Sequence, residues 1–131
     1  MDIGTTDGKR IVNVGSATDF RTLYATAAKI MGRKSKDVAR GLDFIKTGQC
    51  GPTDSIETAR QINLIKDELA RHRPSDAVTE TGNRPQWINE ISPVITSCAN
   101  LFTTADGGDL LHELVSLLCY ADVVGIPVDV M

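Results

Sequence analysis

The chain has 131 residues, 41% of them hydrophobic and 24% charged, with a net charge of −3. That length suits one globular domain that needs no metal or disulfide to fold. Three widely separated cysteines, at 50, 98 and 119, argue against a disulfide framework and for a reducing compartment. The N-terminus has neither a basic start nor an apolar run, and no stretch reaches the roughly 20 apolar residues of a membrane span, so a soluble cytoplasmic protein is expected.

The charge is unevenly distributed. Residues 1–73 hold 13 Lys and Arg against 9 Asp and Glu, whereas residues 74–131 hold Arg84 alone against 8 acids. An acidic half disfavours nucleic acid and suits a basic protein partner through steering and complementarity. The same acids also read as helix caps or solvated surface.

Along the chain, Ile3–Thr6 and Lys9–Val14 flank Asp7-Gly8, which predicts a hairpin with a two-residue turn. Ser16 or Thr18 then caps a helix in which Phe20, Leu23, Tyr24, Ala27, Ala28 and Met31 recur at helical spacing, with Gly32 ending it. Asp37–Lys46 predicts a second helix with Val38, Leu42 and Ile45 inward and Gly41 interrupting it. After the breakers Gly48, Gly51 and Pro52, Asp54 and Glu57 are spaced as a capping box. They precede an apolar stripe of Ile56, Ala59, Ile62, Ile65 and Leu69; Arg71, His72 and Arg73 form its last turn and Pro74 stops it.

Residues 75–92 are polar and irregular, with a short strand expected over Ala77–Thr79. A helical turn follows Ser92-Pro93, then a strand over Cys98–Thr103. Asp106-Gly107-Gly108-Asp109 is a turn feeding a helix whose buried stripe is Leu110, Leu111, Leu114, Leu117, Leu118 and Ala121. Gly125 caps it, and Pro127–Val130 forms a last strand. The expected fold is α+β: a small, mainly antiparallel sheet of four or five short strands with about four helices packed on it.

The chain carries no P-loop, nucleophile elbow or HExxH motif. Asp106 to Asp109 lacks the ligand spacing of a calcium loop, and no two cysteines lie close enough for a zinc knuckle. Cys98 and His112 both lie near the Asp106 turn, which leaves a thiol hydrolase as one alternative, though Cys98 opens an apolar run better suited to packing. A second alternative is a nucleic-acid-binding module using Arg33, Lys34, Lys36 and Arg40, a patch without interleaved aromatics for base stacking. Trp87, the only tryptophan, reads either as a lid folded down with Ile88 and Ile91 or as an interface anchor.

The C-terminal half carries an ordered set of short motifs. Arg84-Pro85-Gln86-Trp87 is followed by Ile91-Ser92, Ile95-Thr96, Leu101-Phe102-Thr103-Thr104-Ala105-Asp106-Gly107 and Asp109-Leu110-Leu111. This set resembles the immunity protein 70 family over residues 74–131, and more loosely at the N-terminal hairpin and the helices from Phe20 and Asp54. The resemblance implies an extended stretch over Arg33 to Pro52, where the residue pattern itself predicts a helix. It also implies a non-catalytic bacterial antitoxin of a polymorphic-toxin or contact-dependent inhibition system. Such a protein would bind a cognate toxin domain and need no cofactor, metal, nucleic acid, membrane or small-molecule substrate. If the toxin is a nuclease with a basic active site, Asp76, Glu80, Glu90, Asp106, Asp109 and Glu113 would be the complementary acids, with Trp87 as apolar anchor.

Overall fold

The computed structural model describes all residues, Met1–Met131. Three strands, β1 (Asp2–Thr5), β2 (Ile11–Asn13) and β3 (Val128–Val130), form one sheet in the order β2-β1-β3, with both pairings antiparallel. Ile3 lies opposite both Val12 and Val130, which ties the first and last segments of the chain together. The hairpin turn is longer than Asp7-Gly8 predicts. Asp7 accepts the Thr5 hydroxyl at 2.6 Å and the Lys9 N–H at 3.0 Å, so the loop closes around its carboxylate before β2 begins.

Helices α1 (Ala17–Met31), α3 (Ser55–Leu69) and α4 (Leu110–Val124) are fifteen residues each. The fourth segment, α2 (Ala39–Thr47), has nine residues and continues from a 3-10 segment, Gly32–Val38. The helical layer is thus three long helices and the short α2, and the residue pattern over 37–46 is matched by helix rather than by an extended stretch. Ser16 caps α1, accepting the Asp19 N–H at 3.0 Å, and Gly32 ends it with φ +49.

The capping box expected at α3 does not form. Asp54 makes no cap hydrogen bond; it pairs with Arg40 of α2 instead, and Glu57 turns to Arg60 and Gln61. Ile56, expected in the buried stripe, is 54% exposed, because α3 meets α2 and α4 along Ala59, Ile62, Ile65 and Leu69.

Two expected strands are replaced by irregular chain. Ala77–Thr79 is not in the sheet; the buried Thr26 hydroxyl takes both backbone groups of Val78, at 3.1 Å each. Over Cys98–Thr103 the chain turns: Cys98 N–H bonds the His72 carbonyl at 3.0 Å, and the Phe102 carbonyl takes the Leu110 N–H at 3.1 Å. Buried backbone groups need partners, and side chains and loop carbonyls supply them here without a ladder. The sheet is therefore three strands rather than four or five.

A cluster of 29 buried residues joins sheet and helices. Its densest stretch is α4, where Leu110, Leu111, Leu114, Leu117, Leu118 and Ala121 are all buried. Each leucine there contributes about 1.5–3 kcal/mol by leaving water.

Candidate functional site

The turn before α4 is built around Thr104. Its hydroxyl donates to Asp106 and accepts the Gly108 N–H at 2.9 Å, while its own N–H bonds the Gly108 carbonyl at 2.8 Å. Gly107 completes the turn at φ +90, a conformation that favours glycine. The Thr104 hydroxyl and then the Gly108 N–H hold the Asp106 carboxyl below the usual range, so Asp106 stays ionised. Asp109 is the N-cap of α4, accepting the His112 N–H at 3.3 Å, and its other oxygen lies 3.5 Å from Lys66.

This turn docks on β2 through one hydrogen bond, Ala105 N–H to the Asn13 carbonyl at 3.0 Å. Between them runs a groove of about 770 Å³ lined by Ile11, Val12, Asn13, residues 104–108 and Glu113. Its ionisable lining residues are Asp106 and Glu113, both exposed. On the other side of the Asn13–Ala105 bond lies a smaller cavity of about 210 Å³, lined by Val14, Asp19, Trp87, Leu101, Phe102, Thr103 and Leu110. Trp87 stands half-buried at this cavity, packed against the core on the 3-10 segment Gln86–Glu90. Ile88 beside it is buried.

The seven residues singled out from the sequence therefore separate into groups. Asp106, Glu113 and Trp87 line two adjoining concavities, and Asp109 caps the helix that carries Glu113. Glu90 is exposed at the end of the Trp87 segment. Asp76 and Glu80 lie elsewhere, against α1, and each already has a side-chain partner: His72 at 3.4 Å and Arg21 at 2.5 Å. Sequence reasoning missed Ile11, Asn13 and Thr104 as lining residues. The hairpin signal at Asp7-Gly8 places Ile11 in a strand, but nothing local says that the distant Asp106 turn faces it.

The cysteine and basic-patch alternatives also acquire a geometry. Cys98 is fully buried and its thiol donates to the Arg73 carbonyl at 3.1 Å. Burial, with the Asp76 charge adding to it, pushes this thiol up to about 11, so it stays protonated and unreactive near neutral pH. In the basic patch, Lys34 pairs with Glu68 at 3.3 Å and Arg40 with Asp54, so two of the four cations already face carboxylates. No group of three or more His, Cys, Asp or Glu is placed to hold a metal ion, and no helix is long and apolar enough to cross a membrane.

The family model for Immunity protein 70 matches residues 5–130. The chain belongs to the immunity protein 70 family. The match runs from the end of β1 through β2, α1, the α2 region and α3 as well as the C-terminal motifs, well beyond the segment whose motifs carry the resemblance most clearly. No curated protein and no solved structure matches the chain. Membership gives it an immunity-protein role in general.

Proposed function

We propose that this chain is a single-domain antitoxin that binds a cognate bacterial toxin domain in the cytosol and covers its active site, without catalysing a reaction. The observation that carries this reading is the family match across residues 5–130. The toxin would be a nuclease of a contact-dependent inhibition or related polymorphic-toxin system, whose active site must be cationic to hold phosphate. An acidic surface complements such a site. Asp106, Asp109, Glu113 and Glu90 supply it, with Trp87 as apolar anchor and Asp76 and Glu80 as a separate acidic pair against α1.

What supports this assignment of the surface is local. The groove between β2 and the Asp106 turn carries two carboxylates and no cation among its lining residues, and Arg10, next in sequence, is drawn away over the Tyr120 ring, 5.0 Å from its centroid. The buried, protonated Cys98 thiol weighs against a nucleophile.

The test is expression of the toxin domain encoded beside this chain, with and without it. Growth rescued by the chain, together with co-purification of the two proteins, is the expected result. A chain that fails to protect cells, or that turns over a substrate unaided, ends this reading.

A further inference from the structure

The two edges of the sheet are finished differently. On β3, Val128 exchanges both backbone hydrogen bonds with Cys50, at 2.9 and 3.0 Å, and the Val130 N–H bonds the Asp129 side chain at 2.7 Å. That edge is closed. On β2, Thr5 N–H bonds the Arg10 carbonyl and Val14 N–H the Met1 carbonyl, both at 2.9 Å. Antiparallel ladders alternate, so Arg10, Val12 and Val14 turn their polar groups to β1 while Ile11 and Asn13 turn theirs outward. Of these outward groups, the Asn13 carbonyl takes the Ala105 N–H. The Ile11 N–H, the Ile11 carbonyl and the Asn13 N–H bond no other element.

These free groups open into the groove lined by Asp106 and Glu113. Ile11 is itself 52% exposed. The slot has defined ends: the Asn13–Ala105 bond at one, and at the other the hairpin loop, where Lys9 N–H is turned onto Asp7. Open strand edges pair readily with extended chain, and proteins usually cover or charge them. Here the ionisable residues lining the groove beside the edge, Asp106 and Glu113, are of one sign.

We propose that the outer edge of β2 receives an extended, Lys- or Arg-bearing segment of the toxin domain as an added strand, its cations meeting Asp106 and Glu113. This rests on the immunity-protein reading above. Main-chain hydrogen bonds to Ile11 and Asn13 would give affinity, and the two carboxylates would select the segment.

The test uses the catalytically inactivated toxin domain encoded beside this chain. Ile11→Pro removes the outward N–H and leaves the β1–β2 ladder untouched, since proline is tolerated on an edge strand. Ile11→Val keeps the N–H. With folding checked by circular dichroism, Ile11→Pro weakens toxin binding by about tenfold or more and Ile11→Val by little. Equal binding by both, with wild type also bound, overturns the added strand and leaves the immunity role standing. No binding by wild type overturns both. If Ile11→Pro does not fold, amide exchange on wild type decides: Ile11 and Asn13 amides exchange fast in the free chain and become protected in the complex, and their staying fast overturns the proposal. A self-associated dimer that Ile11→Pro dissolves would assign the edge to a second copy of the chain instead.

Discussion

Gln61 of α3 accepts the backbone N–H of Gly41 of α2 on its side-chain oxygen at 2.9 Å, and both residues are buried. Gly41 lies in the first turn of α2, where backbone donors have no partner within the helix, so Gln61 acts as a cap supplied by the neighbouring helix. The amide nitrogen of Gln61 donates to Glu57 at 3.1 Å, which fixes the orientation of the side chain. The glycine that looks like an interruption of α2 is therefore the point at which α2 and α3 touch.

Two substitutions measure that contact. A Cβ at Gly41 would lie 3.0 Å from Gln61 Cβ and 3.1 Å from Ile65 Cδ1. Overpacking of this kind costs about 1–3 kcal/mol, offset by up to about 1 kcal/mol of gained helix propensity. Gly41→Ala should therefore lower stability by about 1–2 kcal/mol in urea unfolding. Gln61→Ala, which strands a buried N–H, should lower it by about 1–3 kcal/mol. A Gly41→Ala chain at least as stable as wild type would mean the helices separate at no cost.

Glu57 gives the chain a specific acid sensitivity. Hydrogen bonds from Arg60 and then Gln61 hold its carboxyl at about 2, below the ordinary 4.5. A depressed folded-state value means the contribution is complete above pH 4.5 and is lost as pH falls toward about 2. The difference in unfolding midpoint between wild type and Glu57→Gln should then shrink steadily over that window and vanish at its lower end. Because the pair is exposed, added salt should shrink it too. A difference independent of pH would detach Glu57 from acid stability.

How much of this was legible beforehand divides along the range of the interactions. The leucine stripe of α4, the Ser16 cap and the stop at Gly32 depend on neighbours within a turn or two, and periodicity finds them. The strands expected at Ala77–Thr79 and Cys98–Thr103 failed because propensity does not reveal who satisfies the backbone. Thr26 does so for Val78 from 52 residues away, and His72 does so for Cys98. The Asp54–Glu57 capping box failed for a related reason: Arg40 and Arg60 outcompete the helix N-terminus for both carboxylates. For the site, the sequence supplied Trp87, Asp106 and Glu113, but the other wall of the groove comes from β2, which only the fold brings there.

The thiols separate the binding reading from the hydrolase reading. Cys119 is exposed on α4, whereas Cys50 and Cys98 are buried. At about pH 7.5 a thiol reagent should label one site promptly, Cys119, with the other two reacting only as the chain unfolds. Cys98→Ser should keep the hydrogen bond to Arg73 and leave toxin protection intact. Prompt, selective labelling of Cys98 in the folded chain would return the thiol chemistry to consideration.

Charge reversal distinguishes free carboxylates from paired ones. Glu113 and Glu90 are exposed and make no ion pair, whereas Glu80 already holds Arg21 at 2.5 Å. A basic toxin surface approaching through water feels the unpaired charges most, and a rim charge acts chiefly on the association rate. Glu113→Lys should slow association with the toxin domain by about tenfold at low salt, change the dissociation rate little, and flatten the salt dependence of binding. Glu90→Lys should do the same to a lesser degree if the Trp87 segment lies under the toxin. Glu80→Lys should have the smallest effect on association, because it exchanges an internal pair for repulsion against Arg21 and shows that chiefly as lost stability. Stopped-flow kinetics at two ionic strengths give all three comparisons. Rates that stay the same in every variant would leave the acidity of residues 74–131 as solvated surface, with the interface to be sought elsewhere.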